Sequence, residues 1–314
     1  MKMRTASLIA VAALVTIAAP GCSIRRFAIN KIGDALASGG STYQSDDDIE
    51  LVGGALPFGL KMIEGLLAEA PRHKGLLLAA CQGFTGYAHV YVRREADRAA
   101  EEDLERAWRL RDRARRLYLR GHQYCLTGLE VSYAGLPTRI TMEPAAADIV
   151  KKKDVPLLYW TAASLGLAIS VSKDNAAMLA RLPEVEALLD RALRLDESWQ
   201  SGALHEFQVT FSASRPGQTD ANRTETAYRR ALDLSQGSSA GLFVSYAEAV
   251  PLARQDRAEF RALLEKALAV DPDRHKDSRL TNLVAQQRAR WLLERIDDLI
   301  LEAEKPATTK GENR

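Results

Sequence analysis

Along most of the chain, apolar side chains recur at every third or fourth position, a spacing that is typical of amphipathic α-helices. Three such segments end in closely similar sequences, and a second apolar segment follows each of them. These sequences are Arg191-Ala-Leu-Arg-Leu-Asp196, Arg230-Ala-Leu-Asp-Leu-Ser235 and Lys266-Ala-Leu-Ala-Val-Asp271. Their first alanines, Ala192, Ala231 and Ala267, are separated by 39 and then 36 residues. The pattern therefore predicts a repeat that contains one pair of helices.

A repeat of this length is close to the roughly 34 residues of a tetratricopeptide (TPR) unit. One helix pair exposes too much apolar surface to be stable alone, so it must stack on its neighbours. We therefore predict an all-α fold, a TPR-like helical-repeat solenoid of stacked antiparallel helix pairs. The first helix of each pair would line its concave surface, which indicates a function in recognition.

The first part of the chain is predicted to contain four helical segments before a break at Gly135-Leu-Pro137. Pro57 lies inside the second segment and is expected to kink or split it, because proline removes a backbone hydrogen bond. Three acids, Asp46, Asp47 and Asp48, open that segment and favour a helix start over a calcium loop, since no ligands recur at alternate positions. The four segments are residues 24–37, 46–69, 75–94 and 96–129.

Residues 155–172 contain no charged side chain. Asp154 is the predicted cap of this helix, and Pro156 stands in its first turn. A helix that is apolar on all sides is either buried or lies beneath a hydrophobic pocket. About 18 residues, several of them polar, are too few for a comfortable membrane span. We therefore expect residues 155–172 to form a helix in the middle of the fold.

The rest of the chain is also predicted as helices. Pro144 opens a short helix that ends in three lysines, and Asp174 and Pro183 begin the next two after the uncharged helix. Ser214-Arg-Pro216 interrupts the chain further on. The later helices cover residues 198–211, 220–235, 238–252, 256–270 and 278–302, and a polar tail follows that we expect to be disordered.

The N-terminus has the pattern of an export signal. Lys2 and Arg4 precede an uncharged apolar run at residues 5–19, and Gly21 stands directly before Cys22. A small residue before cysteine favours a lipoprotein signal, with acylation of Cys22, over simple cleavage to a soluble protein. Ser23, directly after this cysteine, favours sorting of the lipoprotein to the outer membrane over the inner membrane. The protein itself would then lie in the periplasm. The predicted parts are therefore a signal peptide at residues 1–21, a helical domain at 22–303 and a tail at 304–314.

Two further cysteines, Cys81 and Cys125, each lie in an apolar helical stretch. We expect buried free thiols, which behave as small hydrophobic side chains. Export makes a disulfide possible, but it would require the two helices to meet at matching heights. The sequence leaves the pairing open.

The charge of the chain is nearly balanced. Lys2 and Arg4 account for the formal net charge of +2, so the mature part has no excess charge for a nucleic acid or a membrane surface. Seven arginines crowd residues 106–120, with acids among them. We interpret this stretch as a solvated helix face with ion pairs such as Glu105 with Arg109.

Catalytic and metal-binding motifs are absent from the sequence. It contains no phosphate-binding glycine loop, no serine-hydrolase elbow, and no HExxH or CxxC spacing, and its five histidines are scattered. We therefore expect no enzyme activity, no catalytic residues, no metal and no cofactor.

Several stretches resemble the TatT components, which are exported helical-repeat proteins associated with TRAP transporters. The stretches are Gly39-Gly-Ser-Thr-Tyr-Gln-Ser-Asp-Asp-Asp48, Ala55-Leu-Pro57, Leu158-Tyr-Trp160, Leu182-Pro183, Gly202-Ala-Leu-His-Glu-Phe207, Ser214-Arg-Pro216, Arg279-Leu-Thr-Asn282 and Arg288-Ala-Arg-Trp-Leu-Leu293. The resemblance implies a TPR-like fold, a lipid anchor, a homotrimer, and a periplasmic substrate-binding subunit of a TRAP transporter as partner.

Some aromatic and polar residues are candidates for a groove, although core packing is the default interpretation for the aromatic residues and a buried, hydrogen-bonded side chain is the favoured one for His205. His205 and Glu206 lie within an apolar helix but point about 100° apart, so they do not form one site. Arg215 could bind a carboxylate through two parallel hydrogen bonds. The candidate groove residues are Phe84, Tyr87, Tyr159, Trp160, His205, Glu206, Phe207 and Arg215.

Two functions are compatible with these features. The first is an accessory protein that binds the substrate-binding subunit and holds a hydrophobic or amphipathic carboxylate in an apolar groove near Trp160, shared with the segment Gly202-Ala-Leu-His-Glu-Phe207. The alternative is a structural scaffold of the cell envelope without a small ligand.

Overall fold

The computed structural model describes residues 31–35, 40–214 and 220–301. All regular secondary structure in these ranges is helical, which confirms the predicted all-α fold class. The chain divides into two compact units, with unit 1 ending at Trp199 and unit 2 beginning at Gln200. The stacking of helix pairs into a solenoid stays a prediction, as does a single domain over residues 22–303. The acylation site Cys22 lies outside the described residues.

Unit 1 contains nine α-helices between residues 40 and 199. Short 3-10 helices at Pro144–Ile149 and Lys152–Asp154 replace the predicted short helix after Pro144. The α-helices are α1 Gly40–Gln44, α2 Ile49–Glu69, α3 Lys74–Tyr87, α4 Arg94–Ala99, α5 Leu104–Ser132, α6 Leu136–Met142, α7 Val155–Ser170, α8 Ala176–Leu179 and α9 Leu182–Asp196.

Helix α2 begins where the acidic cluster predicts a helix start. The carboxylate of Asp48 accepts a hydrogen bond of 2.9 Å from the backbone N–H of Leu51, so Asp48 is the N-cap. The helix continues through Pro57 without being split. It ends at Glu69, two residues before Pro71, as a proline beyond a helix end favours.

The boundary predicted between residues 94 and 96 is wrong. Helix α3 passes into a π-helix at Ala88–Arg93 and then into α4, so this helical stretch ends at Ala99. The longest helix begins only at Leu104. The reason is the carboxylate of Asp103, which caps α5 by accepting a hydrogen bond of 2.8 Å from the N–H of Arg106.

The uncharged helix α7 lies in the core of unit 1, as predicted. Eleven of its residues are buried, and it packs against α3, α5 and α9. Asp154 occupies the N-cap position, but its side chain makes no capping hydrogen bond. Instead its carboxylate accepts hydrogen bonds of 2.6 Å from Nζ of Lys74 and 2.7 Å from the hydroxyl of Tyr133, which connects α7 to α3 and α5.

Cys81 and Cys125 form a disulfide, so the expectation of two free thiols is wrong. Their Cα atoms are 5.4 Å apart, within the usual range for disulfides, and both side chains are fully buried. Gly121, one turn before Cys125, makes this close approach of α3 and α5 possible. A Cβ atom at Gly121 would lie only 3.0 Å from the carbonyl oxygen of Cys81.

Unit 2 contains seven α-helices among the described residues. The predicted helices 238–252 and 278–302 are each interrupted near their ends, at Val250 and Arg295. The helices are α10 Ala203–Ser214, α11 Ala221–Ser235, α12 Ala240–Ala249, α13 Pro251–Arg254, α14 Arg257–Ala269, α15 Arg279–Glu294 and α16 Ile296–Leu299.

The core of unit 2 is built from the apolar faces of α11, α12, α14 and α15, with Phe260, Leu242 and Leu264 fully buried. Side-chain caps begin three of its helices, within one residue of the predicted helix starts at 220, 238 and 256. The caps are Asp220 for α11, Ser239 for α12 and Asp256 for α14.

A left-handed turn separates Trp199 from α10. Gln200, Ser201 and Gly202 have φ angles of 45°, 54° and 93°. The predicted continuous helix over residues 198–211 therefore begins only at Ala203. Glycine is required at position 202, because a Cβ atom there would lie 3.0 Å from Cβ of Leu234 and 3.3 Å from Cα of Ala231.

Candidate functional site

The predicted groove residues fall in both units. Phe84, Tyr87, Tyr159 and Trp160 belong to unit 1, and the other described candidates belong to α10 of unit 2. Arg215 lies outside the described residues. A groove shared between Trp160 and the α10 segment therefore stays a prediction, and each group is described within its own unit.

Phe84 is buried in α3, where its ring stacks on the ring of Tyr124 at a centroid distance of 5.8 Å. The guanidinium of Arg120 lies 4.8 Å from the centre of the Phe84 ring. Tyr87, one turn further on, is only half-buried, and the guanidinium of Arg113 lies 6.0 Å from its ring centre. These two aromatic residues therefore separate arginines of α5 from the core below.

Glu64 joins α2 to α5 beside this aromatic pair. Its carboxylate accepts hydrogen bonds of 2.7 Å from Lys61 and from the hydroxyl of Tyr124, and it also pairs with Arg120. Burial raises the pKa of Glu64, but the hydrogen bonds from Lys61, Tyr124 and Arg120 outweigh it and lower the pKa below its ordinary value. The charged carboxylate is thus the stable form in the folded protein.

Tyr159 and Trp160 form an aromatic cluster with Trp199 in unit 1. The rings of Tyr159 and Trp160 meet edge to face at 5.1 Å, and the Tyr159 and Trp199 rings are 4.8 Å apart. All three residues are half-buried. Within the described part of the chain, the buried indole N–H of Trp160 has no hydrogen-bond acceptor. A buried donor of this kind favours a ligand that brings its own acceptor.

Glu206 is the candidate with the most unusual environment in unit 2. One carboxylate oxygen accepts a hydrogen bond of 2.8 Å from the hydroxyl of Ser239. The other occupies space that a Cβ atom at position 241 would need, so Gly241 makes room for it. Burial raises the pKa of Glu206, and the hydrogen bond from Ser239, which lowers it, is the smaller effect.

The neighbours of Glu206 along α10 do not form one site with it. Phe207 is buried and stacks on Phe211 at a centroid distance of 5.9 Å, so this residue belongs to the core. His205 is half-buried. The structure therefore gives core packing as the role of Phe207, and it places the half-buried carboxyl group of Glu206 beside Ser239.

The sequence interpretation missed a polar cluster inside unit 1. His122 of α5 places Nδ1 3.1 Å from the carbonyl oxygen of Thr161 and Nε2 2.9 Å from Nη2 of Arg181. A guanidinium can only donate, so that contact is a hydrogen bond when Nε2 carries no proton. Arg181 also makes two parallel hydrogen bonds, of 2.9 and 3.0 Å, to the carboxylate of Glu184.

Glu184 is the charged centre of this cluster and is almost completely buried. Burial raises its pKa, but His122, whose Nε2 lies 3.6 Å from the carboxylate and can donate to it when that nitrogen is protonated, and the charge of Arg181 outweigh that effect and lower the pKa. His122 was one of several scattered histidines in the sequence, and Glu184 was one acid in the first turn of a helix. No local signal connects them, because α5 and α9 bring them together only in the folded protein.

Helix α2 exposes an unusual amount of apolar surface. Among the described residues, it is the one helix long and apolar enough to cross a membrane on grounds of length and composition. Leu51, Phe58 and Met62 are exposed along it, and Phe58 is 71% exposed. Buried helices and signal sequences pass the same test, so the observation alone assigns no membrane span.

A cavity of about 650 Å³ lies at the turn after α2. Asp34 and residues 69–75 line it, so it mixes acidic and basic side chains. His73, the N-cap of α3, contacts Asp34 there at 3.3 Å. None of the predicted groove residues lines this cavity, and its chemistry does not match the apolar groove that the sequence predicts.

Comparison with known proteins assigns the chain to a class. The model of the TRAP transporter T-component family matches residues 45–300, which cover most of the chain. The chain belongs to this family, which confirms the resemblance seen in the sequence. It is also similar to an uncharacterized protein of Treponema pallidum (strain Nichols), with 28% identity over 303 residues that cover 90% of this chain and 94% of that protein.

The family membership gives a coarse function. The protein is a T-component, an accessory component of a TRAP transporter system, and the family is not a known family of enzymes. The absence of recognised catalytic motifs in the sequence is consistent with this assignment.

Proposed function

We propose that the protein is a periplasmic lipoprotein that binds the substrate-binding subunit of a TRAP transporter. Family membership over residues 45–300 is the observation that carries this proposal. The N-terminal pattern supports an acyl anchor on Cys22, with the outer membrane favoured by Ser23. In this proposal the protein acts as a homotrimer, without enzyme activity and without a cofactor.

We further propose that the cluster of Tyr159, Trp160 and Trp199 forms part of an apolar site for a hydrophobic or amphipathic carboxylate. The half-buried rings supply apolar walls. The indole N–H of Trp160, which has no acceptor among the described residues, supplies a hydrogen-bond donor for a carboxylate oxygen. Tryptophan commonly combines an apolar ring with one polar contact in this way.

Partner binding is tested with purified components. The T-component and the substrate-binding subunit encoded beside the TRAP permease genes of the same genome are mixed, and their affinity is measured by calorimetry. We expect a complex with a dissociation constant at or below the micromolar range. No binding at high micromolar concentration, together with no co-purifying ligand, would favour the structural scaffold instead.

Ligand binding is tested by mass spectrometry of small molecules that co-purify with the protein. Trp160→Phe keeps an aromatic ring but removes the N–H donor, and Trp291→Phe in unit 2 is the matched control. We expect the Trp160 variant to lose co-purifying carboxylate with its thermal stability retained, and the control to keep it. Equal ligand content in both variants would exclude Trp160 as the donor.

The anchor is tested separately with Cys22→Ala. We expect this variant to move from the membrane fraction to the soluble periplasmic fraction, because the thiol that carries the acyl chains is gone. Retention in the membrane with an unchanged mass would exclude lipidation at Cys22.

A further inference from the structure

The first half of α5 is strongly basic. Residues 104–120 contain seven arginines, two acids and no lysine. Four acids, two of them outside α5, pair with five of these arginines. The pairs are Arg106 with Glu95, Arg109 with Glu105, Arg115 and Arg116 with Asp112, and Arg120 with Glu64. The ion pair that the sequence predicts between Glu105 and Arg109 is therefore present, and the surface as a whole keeps a positive charge.

Four of the arginines form one stripe on the solvent side of α5. Arg109, Arg113, Arg116 and Arg120 are three or four residues apart, so they lie on one helix face, and all are exposed. The aromatic rings of Phe84 and Tyr87 lie beneath Arg120 and Arg113. Such contacts hold a planar guanidinium in place. Arg109, Arg116 and Arg120 each also pair with an acid, and each guanidinium has five N–H donors, more than one ion pair uses.

An exposed apolar pair lies beside this stripe at the start of the helix. Leu104 and Trp108 are one turn apart, and their side chains are 61% and 65% exposed. The core face of α5 is separate from both, because Ala107, Ala114 and Tyr118 are fully buried. The solvent side of the helix thus presents a tryptophan next to a row of arginines.

These features favour a protein partner over a lipid surface. Tryptophan and arginine are enriched in the energetically important centres of protein interfaces, and lysine is depleted there. A helix that lies on a membrane inserts a broad apolar face. The apolar face of α5 is already buried in unit 1, so only Leu104 and Trp108 could insert. A positive stripe complements an acidic protein surface.

We propose that the surface made by Leu104, Trp108, Arg109, Arg113, Arg116 and Arg120 binds an acidic surface of the substrate-binding subunit. This inference rests on the proposed function and names the part of the T-component that carries it. Trp108 supplies the apolar contact, and the arginines supply paired hydrogen bonds to carboxylates and fast electrostatic association.

The test measures affinity for the purified substrate-binding subunit with full-length variants. Arg109→Glu and Arg113→Glu are made singly and together. Arg229→Glu in α11 is the matched control, because Arg229 is 74% exposed, Arg109 is 62% exposed, and each pairs with a glutamate four residues earlier. We expect the double variant to bind at least about tenfold more weakly and the control to bind as the wild type does.

Trp108→Ala is the second arm, and Phe58→Ala, at a similarly exposed aromatic residue on α2, is its control. We expect a loss of about tenfold or more for Trp108→Ala and little change for Phe58→Ala. Circular dichroism melting establishes that each variant folds. Wild-type affinity should also fall as salt is raised, and the double arginine variant should have lost most of that dependence.

The outcomes separate this inference from the proposed function. If the wild type binds the subunit and the α5 variants bind equally well, the docking surface is wrong and the proposed function stands. If the wild type does not bind the subunit, both fail. Vesicles of phosphatidylcholine with phosphatidylglycerol form the last arm. Loss of vesicle binding in the arginine variants, with unchanged binding of the subunit, would make α5 a membrane surface instead.

Discussion

Glu184 in unit 1 is buried and Glu206 in unit 2 is half-buried, and their surroundings shift the pKa of the two carboxyl groups in opposite directions. Arg181 and His122 surround Glu184 and favour its charged form. Glu206 has one hydroxyl donor, Ser239, and burial favours its neutral form. Unit 1 therefore contains a compensated buried charge, whereas the surroundings of Glu206 in unit 2 disfavour the charged form of its carboxyl group.

The two units also differ in how their helices are connected. In unit 1 a disulfide, the Glu184 cluster and the pair of Lys74 with Asp154 connect helices that are far apart in sequence. Unit 2 also has polar links between distant helices, such as the ion pair of Arg288 with Glu248, beside its apolar core around Phe260. The covalent link between two helices is thus the main distinction of unit 1.

The largest expected effect comes from removing the disulfide. The double substitution Cys81→Ala and Cys125→Ala should lower the free energy of unfolding by about 4 kcal/mol, because the bond closes a loop with a sequence separation of 44 residues. Denaturant unfolding measures the loss in the free energy of unfolding, and hydrogen exchange shows which helices lose stability. Protection should fall first in α3 and α5, and an equal fall throughout α12 and α14 would contradict the comparison.

Breaking the Glu184 cluster should have the next largest effect. Glu184→Ala leaves Arg181 facing a buried site without its carboxylate and should cost about 3 kcal/mol of unfolding free energy. The matched control is Glu225→Ala, which removes an ion pair with Arg229 at the surface of unit 2 and should cost less than about 1 kcal/mol. Similar costs for the two variants would show that the cluster is not energetically distinct.

A substitution in the left-handed turn at residues 200–202 should have a smaller effect on stability. Gly202→Ala should destabilise the protein by about 1–2 kcal/mol, since it forces a side chain into positive φ and against Leu234. Gly54→Ala in α2 is the control, because open space surrounds the new methyl group, and it should stabilise the helix by about 1 kcal/mol. Thermal melting distinguishes a loss of stability from a gain. If Gly202→Ala stabilised the protein, the turn would not be a strained conformation that requires glycine.

The smallest expected effect is a difference in pH dependence. A raised pKa means that the folded state holds a proton which the unfolded chain releases, so Glu206 lowers stability increasingly above its ordinary pKa of 4.5. Glu206→Gln should therefore stabilise the protein at neutral pH, and the gain should shrink on acidification. Measurement of unfolding free energy from about pH 4 to pH 8 tests this, and a constant difference would exclude it.

Glu184→Gln should show the opposite dependence. A lowered pKa contributes stability that is present above the ordinary value of 4.5 and is lost as pH falls through the folded pKa. The variant should thus be less stable than the wild type at neutral pH, and the two should converge in acid. If the unfolding free energy of Glu184→Gln and Glu206→Gln depended on pH in the same way, the two carboxyl groups would not differ in the direction of their pKa shifts.

Much of the helical structure was predictable because its signals are local. Asp48, Asp220 and Asp256 lie at the starts of helices in the sequence, and in the structure each caps the helix that follows. The central helix α7 could be recognised because it carries no charge. Asp103 is an equally local signal that the sequence interpretation overlooked, so α4 and α5 were merged across their boundary.

The remaining features depend on contacts between distant segments. The pairing of Cys81 with Cys125 depends on the approach of α3 to α5 at Gly121, which no spacing in the sequence specifies. The contact of His122 with Glu184 likewise joins two helices that are separated along the chain. Among the groove candidates, Phe84 and Phe207 proved to be core residues because neighbouring helices cover them, and only the folded chain shows this.

The complete burial of both disulfide sulfurs sets an order of events in the maturation of the protein. A thiol oxidase or a small oxidant must reach Cys81 and Cys125 before α3 and α5 close over them. The bond therefore has to form while the chain is still open. Once packing is complete, the surrounding side chains protect the bond from reductants.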